Sequence, residues 1–402
     1  MSATTTSPIS QRVINMAESA TLKMSQLARE LRAEGKDVIS LSLGQPDFDT
    51  PDHIKEAAKK ALDEGYTKYT PVPGLLELRE AICTKLKRDN GLEFTPNQIV
   101  VSTGAKQSLH NLCHALLDDG DEVVIFSPYW VTYSEIVSLA GGVPVDVFAG
   151  IENDYKVTAA QVDAAITDKT KFVLFSSPCN PTGSVYLAEE LEAIANVIGK
   201  YEHVYVVSDE IYEYINFVGH HSSIGTFDAV KDRTITVNGF AKGYAMTGWR
   251  LGYIGAPLHI AKACAKHQGQ VTSGTNAFAQ KAAVTALLAD MTPTYEMRKE
   301  FRRRRDLVLD LLREIPGLKV NEPEGAFYVF PDIRNFFGKR TGDTIINNSS
   351  DFCMYMLMEA HVALVAGVSF GAEGYFRMSY AASEAQLREA IARIKRALLK
   401  LN

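Results

Sequence analysis

Short apolar runs alternate with amphipathic segments through the middle of the chain. Four of these runs, each ending in a polar or turn residue, predict buried strands. They cover residues 122–126, 171–177, 203–209 and 234–239. Helices are predicted between them, including 107–118 and 187–200, where Leu191, Ile194 and Val197 recur at helical spacing. The alternation predicts an α/β fold with a mostly parallel central sheet, whose ligands bind at the carboxyl ends of the strands.

The two ends of the chain carry a different pattern. Residues 22–35 predict a helix, and the C-terminal part predicts a long helix, two short strands and a final helix. We therefore predict a smaller α/β domain built from both ends of the chain. In this division, residues 1–48 form an N-terminal arm and part of the small domain, 49–295 the large cofactor-binding domain, and 296–402 the C-terminal small domain. No Pro/Gly/Ser-rich linker separates them, so we expect close packing.

Composition places the chain among ordinary globular enzymes. It has 402 residues, 46% hydrophobic and 22% charged, with a formal net charge of -6. The only basic tract is the arginine run at 302–305, which alternates with Glu296, Glu300 and Asp306. Helical spacing allows several ion pairs there, so we predict a solvated helix face rather than a nucleic-acid surface. Small molecules are the expected partners, with no nucleic acid and no membrane.

Cysteine usage and the N-terminal sequence predict a cytoplasmic protein. The five cysteines are spread along the chain without a CxxC pair, which favours a reducing compartment and gives no sign of a metal site. The N-terminal segment lacks the apolar core of a signal peptide, and no later run is long enough to span a bilayer.

Lys242 and Asp209 are the first candidates for chemistry. Lys242 follows the strand at 234–239 within a run of small and apolar residues; taken alone, such a lysine is more often a surface residue. Asp209 ends the strand at 203–209, where a buried carboxylate requires a cationic partner such as a protonated pyridine nitrogen. The alternative is a helix cap. Tyr212 could donate a hydrogen bond to an oxygen on the same ring.

Four further candidates follow other strand-like segments, and a fifth, Arg250, comes eight positions after Lys242. Asn180 lies in a turn-like segment and could donate to the same ring oxygen, and Trp130 could stack on a flat ring or belong to the core. Gly104 and Ala105 open a helix whose N-terminus favours an anion, and Arg250 could bind a phosphate. An amine, a carboxylate, oxygen donors and an anion anchor together are the requirements of pyridoxal 5'-phosphate.

The sequence closely resembles the class I, fold-type I aminotransferases, which use pyridoxal 5'-phosphate, and especially the bacterial aspartate aminotransferases of the Iβ subgroup. The resemblance runs over nearly the whole chain. Its motifs are SLGQPDFDTP, YTPVPGLLELREAI, SPYWVTY, NPTG, SDEIY, AKGYAMTGWRLGY, EGAFYVF and FRMSYA.

The resemblance implies roles for the cofactor-binding positions. Lys242 matches the lysine that forms the Schiff base and acts as acid and base, and Asp209 matches the partner of the pyridine nitrogen. The remaining matches are Tyr212 and Asn180 for the ring oxygen, Trp130 for stacking, and Gly104, Ala105 and Arg250 for the phosphate. Tyr69 matches a tyrosine that reaches the phosphate of the neighbouring subunit, which implies a homodimer with shared active sites.

Substrate-binding positions are implied in the same way. Arg377 matches the arginine that binds the α-carboxylate, and Gly44 matches a flexible segment whose backbone contacts it. Lys106 matches a lysine that helps to bind the distal carboxylate of aspartate or glutamate. Trp130 and Asn180 also match substrate contacts, and Ser19 and Thr21 match a mobile N-terminal segment over the site.

Four positions depart from relatives. Gly239 and Ala241 stand where many class I enzymes have serines, so a phosphate hydroxyl contact is lost. Ala17 and Glu18 occupy a stretch where relatives that accept prephenate often have a basic residue, which weakens the case for prephenate.

The predicted reaction is transamination between L-aspartate and 2-oxoglutarate, giving oxaloacetate and L-glutamate by a ping-pong mechanism through Lys242. The alternatives are an aromatic, prephenate or broad-specificity aminotransferase, or a β-lyase with the same cofactor. A ligand-sensing module that borrowed the fold is disfavoured by the intact lysine. A nicotinamide enzyme is disfavoured because no GxGxxG follows a strand.

Overall fold

A computed structural model describes residues 8–402. The first seven residues of the predicted N-terminal arm lie outside this range. The helices α1 to α13 are Gln11–Ile14, Ala20–Ala33, Asp52–Asp63, Leu76–Asn90, Ala105–Leu116, Tyr133–Leu139, Ala159–Ala165, Ala188–Ile198, Leu258–Val271, Ala277–Leu288, Thr292–Arg313, Ser349–Glu359 and Glu384–Leu398. The strands β1 to β14 are Ile39–Ser40, Ile99–Ser102, Glu122–Ser127, Val143–Phe148, Thr170–Ser176, Tyr205–Asp209, Thr234–Gly239, Gly252–Gly255, Tyr328–Val329, Arg340–Thr341, Thr344–Ile345, Val362–Ala363, Val365–Ala366 and Phe376–Ser379.

A seven-stranded sheet forms the centre of the molecule, in the order β2-β8-β7-β6-β5-β3-β4. The five neighbouring strands β7, β6, β5, β3 and β4 run parallel to one another. Strand β8 runs antiparallel to both of its neighbours, β7 and β2. The four strands predicted from apolar runs are β3, β5, β6 and β7, displaced by at most two residues at either end. The predicted α/β fold with a mostly parallel sheet is confirmed.

Side chains of this sheet alternate between two apolar layers, as the pleat requires. Val123 and Ile125 of β3 pack with α5, α6 and α9 on one face. Val124 and Phe126 of the same strand pack with α7 and α8 on the other. Helices on both faces therefore bury the strand interiors, and the polar residues that follow the strands come together at one edge of the sheet.

Both ends of the chain meet in a second layer of structure. Strand β1 pairs in parallel with β12, and β13, β14 and β9 form an antiparallel sheet. Helices α11 and α13 cover this region, with Phe301 and Ile391 in its apolar core. The exact domain boundaries proposed above stay a prediction. None of the helices between residues 8 and 402 is both long and apolar enough to cross a membrane.

The arginine tract at 302–305 lies in α11, and the predicted solvated face is wrong for half of it. The first two arginines are exposed, but Arg304 and Arg305 are only 7% and 5% exposed. Arg304 donates to both carboxylate oxygens of Asp47, at 2.7 and 2.8 Å, and Arg305 donates to the carbonyl oxygen of Pro323 at 2.8 Å. Helical spacing places residues 304 and 305 on the same face as the buried Phe301 and Val308, whereas 302 and 303 point outward.

Candidate active site

A cavity of about 250 Å³ lies at the carboxyl ends of the central strands. Eleven of the twelve predicted site residues line it. They are Gly44, Gly104, Ala105, Lys106, Trp130, Asn180, Asp209, Tyr212, Lys242, Arg250 and Arg377. Ser19 and Thr21 line it as well. Tyr69 does not, and its side chain is 98% exposed, so its assignment to a partner's site stays a prediction.

Lys242 follows β7 at the floor of the cavity. Its Nζ donates a hydrogen bond to the carbonyl oxygen of Gly44 and lies 5.7 Å from the centre of the Tyr212 ring. Burial of the amine, together with the positive charges of Arg377 and Arg250, lowers the pKa of Lys242 to about 7, against the opposing effect of Asp209. A substantial fraction of the amine is therefore neutral near pH 7, the form in which a lysine can act as a base.

Asp209 ends β6 on the same floor, and it is 3% exposed. Its Oδ2 accepts a hydrogen bond from the Tyr133 hydroxyl at 2.7 Å, and its Oδ1 accepts one from the backbone N–H of Ile211 at 3.2 Å. Burial raises the pKa of Asp209 to about 6, although both hydrogen bonds oppose the rise. A carboxylate that is this poorly solvated is stabilised as an anion by a cation placed directly opposite it.

A buried ionic network lies directly behind Asp209. Glu210, Glu213 and His221 present possible ligand atoms within 4.8 Å of one another. However, Lys85 forms an ion pair with Glu213, and Asn90 donates to Glu210 at 2.9 Å and to Glu213 at 2.7 Å. Since the network already contains a cation and its carboxylates have donors, we interpret it as structural support for the end of β6.

The opposite end of the cavity suits an anion. Gly104 caps the N-terminus of α5 with φ +83°, and a Cβ there would come within 2.5 Å of the Arg250 guanidinium. Glycine is therefore needed for Arg250 to lie against the start of the helix. Lys106, in the first turn, has its Nζ 4.9 Å from the centre of a Trp130 ring. Two cations and a helix N-terminus thus face one end of the cavity.

Arg377 reaches the cavity from β14 and is 1% exposed. Its Nη1 donates to Asn180 Oδ1 at 2.9 Å, and its Nη2 donates to the carbonyl oxygen of Ser42 at 2.5 Å. Its Nε has no hydrogen-bond partner among the described residues. A buried guanidinium held only by neutral acceptors has an uncompensated charge, and burial lowers its pKa. This position is ready to receive a carboxylate.

Two tyrosines of the site escaped the sequence interpretation. Tyr133 is the first residue of α6 and donates to Asp209, and Tyr328 lies in β9 and shares a hydrogen bond of 2.7 Å with Tyr212. The sequence signal for both was their position within the quoted motifs SPYWVTY and EGAFYVF. A buried tyrosine after a strand is otherwise typical of an apolar core.

Comparison with known proteins identifies the class to which this fold and site belong. The family described as "Aminotransferase class I and II" matches residues 36–394. An aspartate/prephenate aminotransferase of Cereibacter sphaeroides is 46% identical over 390 residues, covering 96% of this chain and 98% of that protein.

Two solved structures are similar over almost the whole chain. The aspartate aminotransferase of Rhizobium meliloti is 43% identical with a TM-score of 0.95, covering 99% of this chain and 100% of that one. The Thermus thermophilus aspartate aminotransferase with maleate is 44% identical with a TM-score of 0.91, covering 98% and 100%.

The chain belongs to the class I and II aminotransferase family. It is an enzyme of the aspartate transaminase type with aminotransferase activity. The predicted family, fold type and enzyme class are thereby confirmed.

Proposed function

We propose that the enzyme transfers the amino group of L-aspartate to 2-oxoglutarate, giving oxaloacetate and L-glutamate, with pyridoxal 5'-phosphate held in the cavity. The observation that carries the proposal is the convergence of Lys242, Asp209 and Arg377 on one enclosed space. They are an amine with a lowered pKa, a buried carboxylate and a buried guanidinium. Burying any one of these charged groups without a partner is costly. A bound cofactor together with its substrate would supply partners for all three.

The cavity fits the proposed cofactor at both ends. Arg250 and the start of α5, where Gly104 leaves no room for a side chain, would hold the phosphate. Asp209 would hold the protonated ring nitrogen, while Tyr212 and Asn180 would donate to the ring oxygen. When bound, the cofactor supplies a carbonyl carbon that carries the amino group and a ring that withdraws electrons.

The protein's own groups bind the substrate and move its proton. Arg377 would bind the α-carboxylate, with the backbone of Gly44 beside it. Lys242, neutral in part at pH 7, would take the proton from the substrate α-carbon and deliver it to the cofactor carbon that carries the amino group. The hydrogen bond from Lys242 to the carbonyl oxygen of Gly44 supports this role, because Gly44 belongs to the segment proposed to lie beside the substrate.

A dicarboxylate is the substrate class that the charges favour. Lys106 and Arg377 both line the cavity, so a substrate with two carboxylates can meet a cation at each end. The Thermus relative is described with maleate, which is a dicarboxylate, and this supports the proposal. Prephenate is the second candidate because it is also a dicarboxylate and the Cereibacter relative is named for both aspartate and prephenate.

Steady-state rates of the purified, cofactor-loaded enzyme test the proposal. L-Aspartate, phenylalanine and cystathionine are compared as donors, with 2-oxoglutarate and prephenate as acceptors. We expect kcat/KM for aspartate to exceed that for phenylalanine by at least about tenfold, because phenylalanine leaves Lys106 unpaired. Lys106→Met should remove most of this preference, whereas Lys299→Met, a change of an exposed lysine, should not.

Lys242→Ala tests the catalytic assignment separately. Loss of the base predicts a fall in kcat of at least about 10³-fold with the fold retained. Turnover of phenylalanine or cystathionine faster than aspartate would replace the proposed substrate, and full activity of Lys242→Ala would contradict the mechanism.

We further propose a homodimer in which Tyr69 serves the neighbouring site. Its full exposure in the single chain supports this assignment, because a tyrosine with no packing role is available to a partner. The predicted cytoplasmic location remains a prediction.

A further inference from the structure

Tyr328 touches three groups of the proposed active site. Its hydroxyl lies 2.7 Å from the hydroxyl of Tyr212, and the guanidinium carbon of Arg377 lies 4.7 Å from the centre of its ring. A Cβ on Gly44 would come within 2.3 Å of the same hydroxyl, so a side chain at position 44 would clash with Tyr328.

The antiparallel sheet fixes Tyr328 in this position. In the register of β9 and β14, Tyr328 pairs with Ser379, two residues after Arg377. Residues two apart on a strand share a face, and a cross-strand pair shares it too, so Tyr328 and Arg377 are diagonal neighbours on one side of the sheet. The ring is fully buried, which gives this contact little freedom to vary.

The hydroxyls of Tyr212 and Tyr328 carry one proton each, but the hydrogen bond between them uses only one of these protons. Burial raises the pKa values of both Tyr212 and Tyr328, so both are protonated at neutral pH. One proton lies between the two oxygens, and the other is free to meet an acceptor. In the proposed function, Tyr212 would donate to the ring oxygen of the cofactor. A hydrogen bond from Tyr328 to the Tyr212 oxygen would leave the Tyr212 proton for that oxygen and polarise it.

We propose that Tyr328 is a positioning residue of this site, whose hydroxyl directs the Tyr212 proton to the ring oxygen of the cofactor and whose ring holds Arg377 at the substrate carboxylate. The inference rests on the proposed function. The two parts of the side chain therefore act separately: the hydroxyl affects the cofactor, and the ring affects substrate binding.

Tyr328→Phe in the cofactor-loaded enzyme tests the hydroxyl. The readout is the pH midpoint of the visible absorption change without substrate. The midpoint should rise by about half a pH unit, because a weaker donor stabilises the anionic ring oxygen less. The KM for aspartate should change by less than about twofold, since the ring against Arg377 is retained. Tyr380→Phe is the matched control; it is also a buried tyrosine, and its hydroxyl donates to the carbonyl oxygen of Ala326.

A double variant separates indirect action from a general effect of packing. If Tyr328 acts through Tyr212, then Tyr212→Phe with Tyr328→Phe should shift the midpoint no further than Tyr212→Phe alone. Tyr328→Leu tests the ring, and it should raise the KM for aspartate by about tenfold or more. An unchanged midpoint in Tyr328→Phe, or shifts that add in the double variant, would overturn the inference.

The wild-type enzyme distinguishes the two levels of failure. If it turns over aspartate while Tyr328→Phe keeps the wild-type midpoint, only the role of Tyr328 is wrong. If the wild-type protein takes up no pyridoxal 5'-phosphate, the proposed function fails and the inference fails with it.

Discussion

Lys242 and Asp209 line the same cavity, and burial shifts the pKa of each toward its neutral form. The pKa of Lys242 falls from 10.5 to about 7, and that of Asp209 rises from 3.8 to about 6. Near pH 7 the cofactor-free protein therefore carries at least one poorly solvated charge in this site. Such a cost in stability is typical of sites whose ligand restores the balance.

The lysine makes a stability prediction for the cofactor-free protein. Between pH 7 and 10.5 the unfolded lysine binds more protons than the folded one, so the free energy of unfolding rises with pH over this window. Lys242→Met removes the titrating group. The stability of wild type relative to this variant should increase by on the order of 4 kcal/mol between pH 7 and about pH 10, as measured by urea unfolding.

Lys299→Met is the control for that experiment because Lys299 is an exposed lysine, with 68% of its side chain accessible. In the same urea experiment, its substitution should change the free energy of unfolding by less than about 0.5 kcal/mol. A flat difference for Lys242→Met would mean that the folded protein stabilises the charged amine as well as water does.

A site residue can be predicted from sequence when its side chain is unusual for the segment in which it lies. Lys242 and Asp209 are charged groups at the ends of apolar strands, and this conflict made them candidates from the sequence, whereas Arg377 was implied only by the family resemblance. Tyr133 and Tyr328 carry no such conflict, because tyrosine is ordinary in a core. Their position within two family motifs hinted at a role, and the hydrogen bonds of their hydroxyls with Asp209 and Tyr212 show what each side chain contacts.

At the scale of an element, α11 shows how one helix can hold a loop of the site. Arg304 forms two hydrogen bonds with Asp47, another with Glu300 at 2.9 Å, and lies 5.3 Å from the ring centre of Phe48. Asp47 is three residues after Gly44, whose carbonyl accepts the hydrogen bond from Lys242. The helix therefore anchors the segment through which Gly44 lines the cavity.

Arg304→Met should lower the free energy of unfolding by about 1 to 2 kcal/mol, because it removes a buried guanidinium together with its hydrogen bonds to Asp47 and Glu300. Arg302→Met, two residues earlier on the exposed face, should change it by less than about 0.5 kcal/mol. Urea unfolding of both variants makes the comparison. Equal effects would mean that the tract behaves as the solvated face first predicted.

Elements were predictable where one pattern dominated. Strands β3, β5, β6 and β7 are continuous apolar runs because helices cover both of their faces. The arginine tract was misinterpreted because the local charge pattern fits a solvated helix equally well. Its inward half is determined by Asp47 and Pro323, which are distant in sequence.

At the scale of the whole molecule, the exposed Tyr69 predicts that two subunits complete each active site. Tyr69 is 98% exposed, whereas the other predicted site residues line the cavity of their own chain. If Tyr69 serves the partner's site, Tyr69→Phe and Lys242→Ala are defects that a mixed dimer can separate. One site of such a dimer then has an intact lysine together with an intact tyrosine.

Mixing the two purified variants under conditions of subunit exchange tests this directly. Random exchange puts half of the subunits in mixed dimers, each with one intact site, so activity should approach about one quarter of wild type per subunit. Wild-type subunits with and without an affinity tag, mixed under the same conditions and then separated on the tag, provide the exchange control. If activity in the Tyr69→Phe and Lys242→Ala mixture stays at the average of the separate variants while exchange is demonstrated, Tyr69 does not act in the neighbouring site, and each site is complete within one chain.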